Sequence, residues 1–241
     1  MKLTNRRFSL SLPIVFLSVW LLAIAPLSAL ADLTYLSPGL PSASSLLAPP
    51  PILGSAEQNA DLDTVRKVYH AATSNDLAAA YSEKKFSVFN FTDSVGSYFV
   101  EANLPKTAAF FEKVQEDAAT VTDLGKDYFK RPRPYSTDTN LVNGKLEKTF
   151  SYPSGHSTET MVLGLVLTEI IPAQHDAILA HARVMGWHRV QIARHYPTDI
   201  YAGRVLAQAI VAELNKNPAF EKRLAEVKIE IETARTAAQN H

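Results

Sequence analysis

Ser151-Tyr152-Pro153-Ser154-Gly155-His156-Ser157 runs directly into an apolar stretch from Met161 to Ile171, and this junction decides how the chain folds. A small, hydroxyl-bearing turn that opens a hydrophobic helix aims free backbone N–H groups and the positive end of the helix dipole at whatever binds there. The junction therefore predicts an anion site at the head of a helix that is apolar nearly all round, and so central and buried. Pro-Ser-Gly also makes ordinary turns, and a lone histidine more often packs than reacts. The reading rests on the flanks: Lys126 and Arg133-Pro134 upstream, and Arg189, His195 and Asp199 downstream.

Outward from the junction the apolar spacing stays helical. Val65, Val68, Tyr69 and Ala72 fall at i, i+3, i+4 and i+7, and Phe111, Val114, Ala118 and Val121 repeat the pattern after Pro105. Pro172 closes the central helix, after which Ile178, Ala182 and Met185 start another stripe. Ile200, Val205, Ile210 and Leu214 belong to the next helix, and Phe220, Leu224, Val227 and Ile231 to a last one after Pro218. No stretch alternates with period two for long, and no internal repeat appears. The expectation is all-α: a single compact helical domain over 55–241, with loops at 89–106 and 131–153.

The chain begins with Lys2, Arg6 and Arg7, then an uncharged run from Phe8 to Ala31 ending in Ala29-Leu30-Ala31. A basic start, an apolar middle and a small-residue site predict a secretory signal peptide over 1–31, cleaved before Asp32. An uncleaved anchor is the alternative on length, disfavoured by Pro13, Pro26 and the small residues at the site. Residues 32–54 are rich in Pro, Ser and Leu, and three prolines in Leu46-Leu47-Ala48-Pro49-Pro50-Pro51 forbid helix there. They predict an extended Pro-rich arm lying on the domain through its leucines.

The leader holds three of the 24 basic residues and no acid, leaving 21 bases against 24 acids, a formal charge of −3. Nucleic-acid binders show a basic excess, so nucleic acid is not an expected partner. There is no Cys, which excludes disulfides, a thiolate nucleophile and Cys metal sites.

Between Lys126 and Tyr135, Arg131 and Arg133 each precede a proline. The prolines stiffen the backbone and fix guanidinium groups that bind oxyanions bidentately, whereas an ordinary basic run would be a solvated helix end. Downstream, His195 and Asp199 are four apart, so the carboxylate can hold one ring nitrogen and leave the other free. The pair stands beside Arg189 and Arg194, with His156 in the turn. One histidine to attack, another to supply a proton, and cations around them suit phosphoryl transfer without a metal. His70, His175, His181 and His241 lack such company and read as packed or surface residues.

Together, Lys126-x6-Arg133-Pro134, Pro153-Ser154-Gly155-His156 and Arg189-x5-His195-x3-Asp199 resemble the three motifs of the type 2 phosphatidic acid phosphatase and vanadium haloperoxidase superfamily. With the leader, the Leu46–Pro51 arm and Asn217-Pro218-Ala219-Phe220 near the end, the chain looks like a bacterial class A non-specific acid phosphatase over essentially its whole mature length. The resemblance implies that Lys126, Arg133, Ser154, Gly155 and Arg189 hold the phosphoryl oxygens. It makes His195 the nucleophile, Asp199 its orienter and His156 the acid for the leaving group. It implies periplasmic hydrolysis of small-molecule phosphomonoesters with no metal or other cofactor. No stable membrane insertion is expected once the leader is gone, and homo-oligomerisation is compatible with the sequence.

One position departs: His188 stands where the family has Ser before Arg. A family member is also expected to cover its pocket with the segment at 90–99, whose sequence matches no family pattern. The same residues allow a vanadate-dependent haloperoxidase or a phosphotransferase. An integral lipid phosphatase would need several spans, and a non-catalytic phosphate binder would leave His195 and Asp199 unexplained.

Overall fold

A computed structural model describes residues 33–240; the leader predicted at 1–31 and His241 lie outside the described residues. In chain order the α-helices are α1 (Ala43–Leu46), α2 (Ala56–Ala71), α3 (Ser74–Ser82), α4 (Thr92–Val95), α5 (Pro105–Phe129), α6 (Pro134–Thr137), α7 (Gly155–Ile170), α8 (His175–Gln191), α9 (Pro197–Leu214) and α10 (Pro218–Gln239). No strand occurs among the described residues. Helix starts follow the local chemistry. Pro105, Pro197 and Pro218 take first-turn positions where no N–H is needed, and Thr73 with Asp76 forms a capping box on α3.

Helix α7 is the centre, packed against α5, α8, α9 and α10. Its Val162, Leu163, Val166 and Leu167 are completely buried, each contributing about 1.5–3 kcal/mol by leaving water. The main core continues through Phe110, Phe111, Leu206, Ile210 and Phe220. A second cluster, with Leu62, Val65, Tyr135, Leu141, Val190, Tyr196 and Ile200, lies behind the turn that carries His195.

The arm is tied down by polar contacts that the leucine pattern did not announce. The backbone N–H groups of Thr34, Tyr35 and Leu36 donate to the buried Asp117 carboxylate at 2.8, 2.7 and 3.0 Å, and Asn217 Nδ2 donates to Tyr35 O at 2.7 Å. The arm is also not extended throughout, since α1 interrupts it just ahead of the prolines. Its leucines divide: Leu36 and Leu47 are buried, while Leu40, Leu46 and Leu53 are exposed. Both expected loops contain single helical turns, α4 in the first and α6 in the second. Val205, placed on the apolar face of α9, points outward at 47% exposure.

Candidate active site

Four segments meet at the N-terminus of α7. Ser154 caps the helix, its Oγ accepting from Ser157 N at 3.4 Å, while its own N–H donates to Asp199 O at 3.1 Å. Helix α9 comes so close that a Cβ on Gly203 would lie 2.9 Å from Ser154 O and 3.1 Å from Thr158 N. No side chain fits there without moving backbone, so glycine at 203 sets how α9 presses its first turn against the head of α7.

The end of α8 delivers His195. Ala193 takes a left-handed conformation, φ 52°, and Arg194 N and His195 N both turn back onto Arg189 O at 2.8 and 3.3 Å. His195 therefore lies between α8 and α9, buried at 3% exposure, with Asp199 three residues into the next helix. Its Nδ1 faces Asp199 Oδ2 at 3.4 Å, and its Nε2 faces Arg133 Nη1 at 3.3 Å. Burial, followed by the Arg133 charge, lowers the His195 pKa to about 4 against the pull of Asp199, so the ring is neutral above that pH. Burial alone would raise Asp199, but the His195 hydrogen bond, the Arg131 charge and Ser151 hold it below the usual range.

Arg131 and Arg133 leave α5 together after Lys130 ends the helix in the left-handed region, φ 51°. In the stiff segment that follows, residues two apart project to one side, so both guanidinium groups turn inward. Arg133 is clamped by Thr149 O at 2.9 Å, Arg194 O at 3.0 Å and Phe150 O at 3.2 Å, which fixes it beside His195. Arg131 Nη1 donates to Asp199 Oδ1 at 2.6 Å, and Nη2 reaches Asp61 Oδ2 at 2.7 Å and Gln58 Oε1 at 2.5 Å. Ser151 Oγ donates to Asp199 Oδ2 at 2.5 Å.

On the opposite side, Lys126 is buried on the last turns of α5, its Nζ paired with Asp123 Oδ1 at 2.7 Å. A Cβ on Gly155 would lie 3.2 Å from that Nζ, so the ammonium overlooks the opening of α7. Arg189 is buried, donating from Nη2 to Ala80 O, with Glu83 Oε2 3.8 Å away. His156 Nε2 donates to Glu83 O at 3.2 Å, leaving Nδ1 as the ring nitrogen with no protein partner among the described residues. Burial, and then the Arg189 charge, push the His156 pKa well down, with the Glu83 carbonyl opposing them.

The contacts join Arg133 to His195, His195 and Ser154 to Asp199, Lys126 to the opening of α7 at Gly155, and His156 and Arg189 to Glu83. Arg194, expected beside the His195–Asp199 pair, instead turns away and donates to Asn143 O at 2.5 Å and Lys145 O at 3.2 Å. His188, in the family's Ser position, faces Glu83 Oε2 through Nδ1 at 2.8 Å, so the departure is absorbed by a buried acid on the neighbouring α3 turn. Glu83, Asp61, Ser151 and the inward role of Arg131 were not read from the sequence. Only Arg131 had a local signal, its two-residue spacing from Arg133.

A cavity of about 850 Å³ opens beside His156, lined by Phe86, Val88, Phe89, Phe111 and Glu159 among others; the Phe86 ring packs on His156 at 5.0 Å. The segment expected to cover the pocket, 90–99, instead buries Phe91, Val95 and Phe99 in the core, and the wall is formed by 86–89. Burial pushes the Glu159 carboxyl up to about 7 against its Gln115 hydrogen bond and Lys126. Among the described residues, no group of three or more His, Cys, Asp or Glu could hold a metal, and no helix is long and apolar enough to cross a membrane.

The PAP2 superfamily model matches residues 117–220, the span that contains Lys126, Arg133, Ser154, Gly155, His156, Arg189, His195 and Asp199. A non-specific acid phosphatase of Providencia stuartii is 32% identical over 201 residues, covering 77% of this chain and 79% of that one. The chain belongs to the PAP2 superfamily, within its non-specific acid phosphatases. Two solved structures share the fold. One is a transmembrane PAP2-type phosphatidylglycerolphosphate phosphatase from Bacillus subtilis, TM-score 0.50 at 16% identity over 72% of this chain and 89% of that one. The other is a bacterial vanadium-dependent iodoperoxidase, TM-score 0.52 at 19% identity over 72% and 54%.

Proposed function

We propose that this acid phosphatase hydrolyses phosphate monoesters without a metal, through a phosphohistidine on His195. The observation that carries the reading is the buried His195 ring held between Asp199 and Arg133, which leaves Nε2 facing the cations rather than a carboxylate. Lys126, Arg133, Arg189 and the backbone N–H groups at the head of α7 take the phosphoryl oxygens and stabilise charge as it develops. The Nε2 lone pair attacks phosphorus, the bond to the alcohol oxygen breaks, and His156 Nδ1 gives that oxygen its proton. Water then loses a proton to His156 and attacks the phosphohistidine, releasing phosphate and freeing His195.

Burial and the neighbouring cations disfavour the charged form of His156. An arriving phosphate dianion offsets those cations, so substrate binding itself favours the protonated acid. The adjoining cavity gives the leaving group room. The leader predicted over 1–31 supports action in the periplasm. Orthovanadate, which mimics the five-coordinate phosphorus, should inhibit competitively, and EDTA should leave p-nitrophenyl phosphate hydrolysis unchanged. Loss of activity on chelation, restored by a divalent ion, would contradict the metal-free account.

A further inference from the structure

One charged group at the mouth of the site has no part in that mechanism. Glu147 Oε2 lies 2.7 Å from Arg133 Nη2, on the same guanidinium whose Nη1 faces His195 Nε2 at 3.3 Å. The Glu147 carboxyl is held below its usual range although burial would raise it, because the charges of Arg133, Arg194 and Lys126 bear on it, joined by His195 when that ring is protonated. Glu147 likewise bears on Arg189. Three of these, Lys126, Arg133 and Arg189, are the cations assigned to phosphate, and His195 is the nucleophile. A carboxylate that feels all of them stands where an anion belongs.

The backbone around it is fixed. Tyr135 Oη donates to Glu147 O and accepts from Glu147 N, both at 3.2 Å, and Arg133 Nε holds Thr149 O at 2.9 Å. The side chain is free to move: it is 40% exposed, against 3% for Arg133. A half-exposed ion pair is weak enough to be exchanged for a better anion, and a phosphate offers Arg133 two oxygens with additional bonds to Lys126 and Arg189.

We propose that Glu147 is an internal competitor of the substrate phosphoryl group: its carboxylate occupies Arg133 when the site is empty and swings outward before a phosphate can bind. The inference rests on the assignment of Lys126, Arg133 and Arg189 to phosphate. Glu147 thereby sets the affinity for oxyanions and compensates Arg133 until a phosphate arrives, as Asp123 does for Lys126 and Glu83 for Arg189.

The test is calorimetric titration of the mature protein with sulfate, which binds as an anion and needs no turnover, alongside competition of sulfate against p-nitrophenyl phosphate. Glu147→Gln removes the charge, and Glu147→Asp keeps the charge but withdraws it by one methylene. Both should bind sulfate more tightly, by about fivefold from the worth of such a pair, with KM for p-nitrophenyl phosphate falling in step. An unchanged sulfate affinity in both variants would overturn the proposal. So would a weaker one, which would make Glu147 a support for Arg133 rather than its competitor. Tighter sulfate binding without hydrolysis would uphold the competitor and sink the hydrolase reading, so the two stand or fall separately.

Discussion

Arg131 and Arg133, two residues apart and alike in sequence, do opposite things. Arg133 faces the space where phosphate is proposed to bind. Both terminal nitrogens of Arg131 are engaged, with Asp61, Gln58, Thr198 and Asp199, and its guanidinium lies 3.9 Å above the Tyr196 ring. Removing one partner from a buried ion pair strands the other charge, at about 3–5 kcal/mol. Arg131→Gln should therefore lower thermal stability sharply and, by loosening Asp199, reduce kcat in whatever fraction stays folded. A differential scanning measurement that finds the variant as stable as wild type would refute the buried network as a determinant of the fold. Sequence spacing made both arginines candidates; only their partners, brought in from α2 and α9, assign them different work. Glu83 is the same kind of case. Nothing in Tyr81-Ser82-Glu83 signals a site, because its significance comes from α8 lying alongside.

At the scale of elements, most of the long helices were legible because their apolar residues follow a 3.6-residue period and because α2, α3, α5, α7, α9 and α10 begin at a proline or a polar cap. From Met161 onward α7 is apolar on nearly every side, and a helix of that composition must be surrounded. The arm was harder. Leucine content suggested packing, yet what anchors it is the carboxylate of Asp117, which accepts three successive backbone N–H groups and sits on the interior face of α5 among apolar neighbours. A lone buried Asp on a helix carries no sequence signal of the chain it will cap. The segment at 90–99 is not legible in the sequence for a related reason: its aromatic residues suit either a pocket cover or a core, and long-range packing puts Phe91 and Phe99 in the core.

For the whole molecule, the site's electrostatics make stability depend on pH in an unusual direction for a histidine. The folded-state pKa of His195, about 4, lies below its ordinary value of 6.5, so the unfolded chain binds the extra proton first. The contribution of this neutral ring is fully present above about pH 6.5 and is lost as pH falls toward 4, on the order of 3 kcal/mol over the window. The lowering of Asp199 acts in the same sense further down, its contribution vanishing as pH falls through its depressed folded value. The ligand-free protein should thus lose melting temperature between pH 6.5 and 4, and inorganic phosphate should restore part of it by binding only the folded state. A flat melting profile across that range would show that His195 is not held neutral by the fold.

The account stands most directly on the identity of the nucleophile. Rapid-quench trapping of the phosphoenzyme from p-nitrophenyl phosphate, applied to the wild type, His195→Ala and His156→Ala, reads it in one experiment. An acid-labile, base-stable phosphoryl adduct is expected in the wild type, none in His195→Ala, and one still formed in His156→Ala, because p-nitrophenolate leaves without needing a proton. A phosphoenzyme in His195→Ala, or its absence from the wild type under burst conditions, would contradict the assignment.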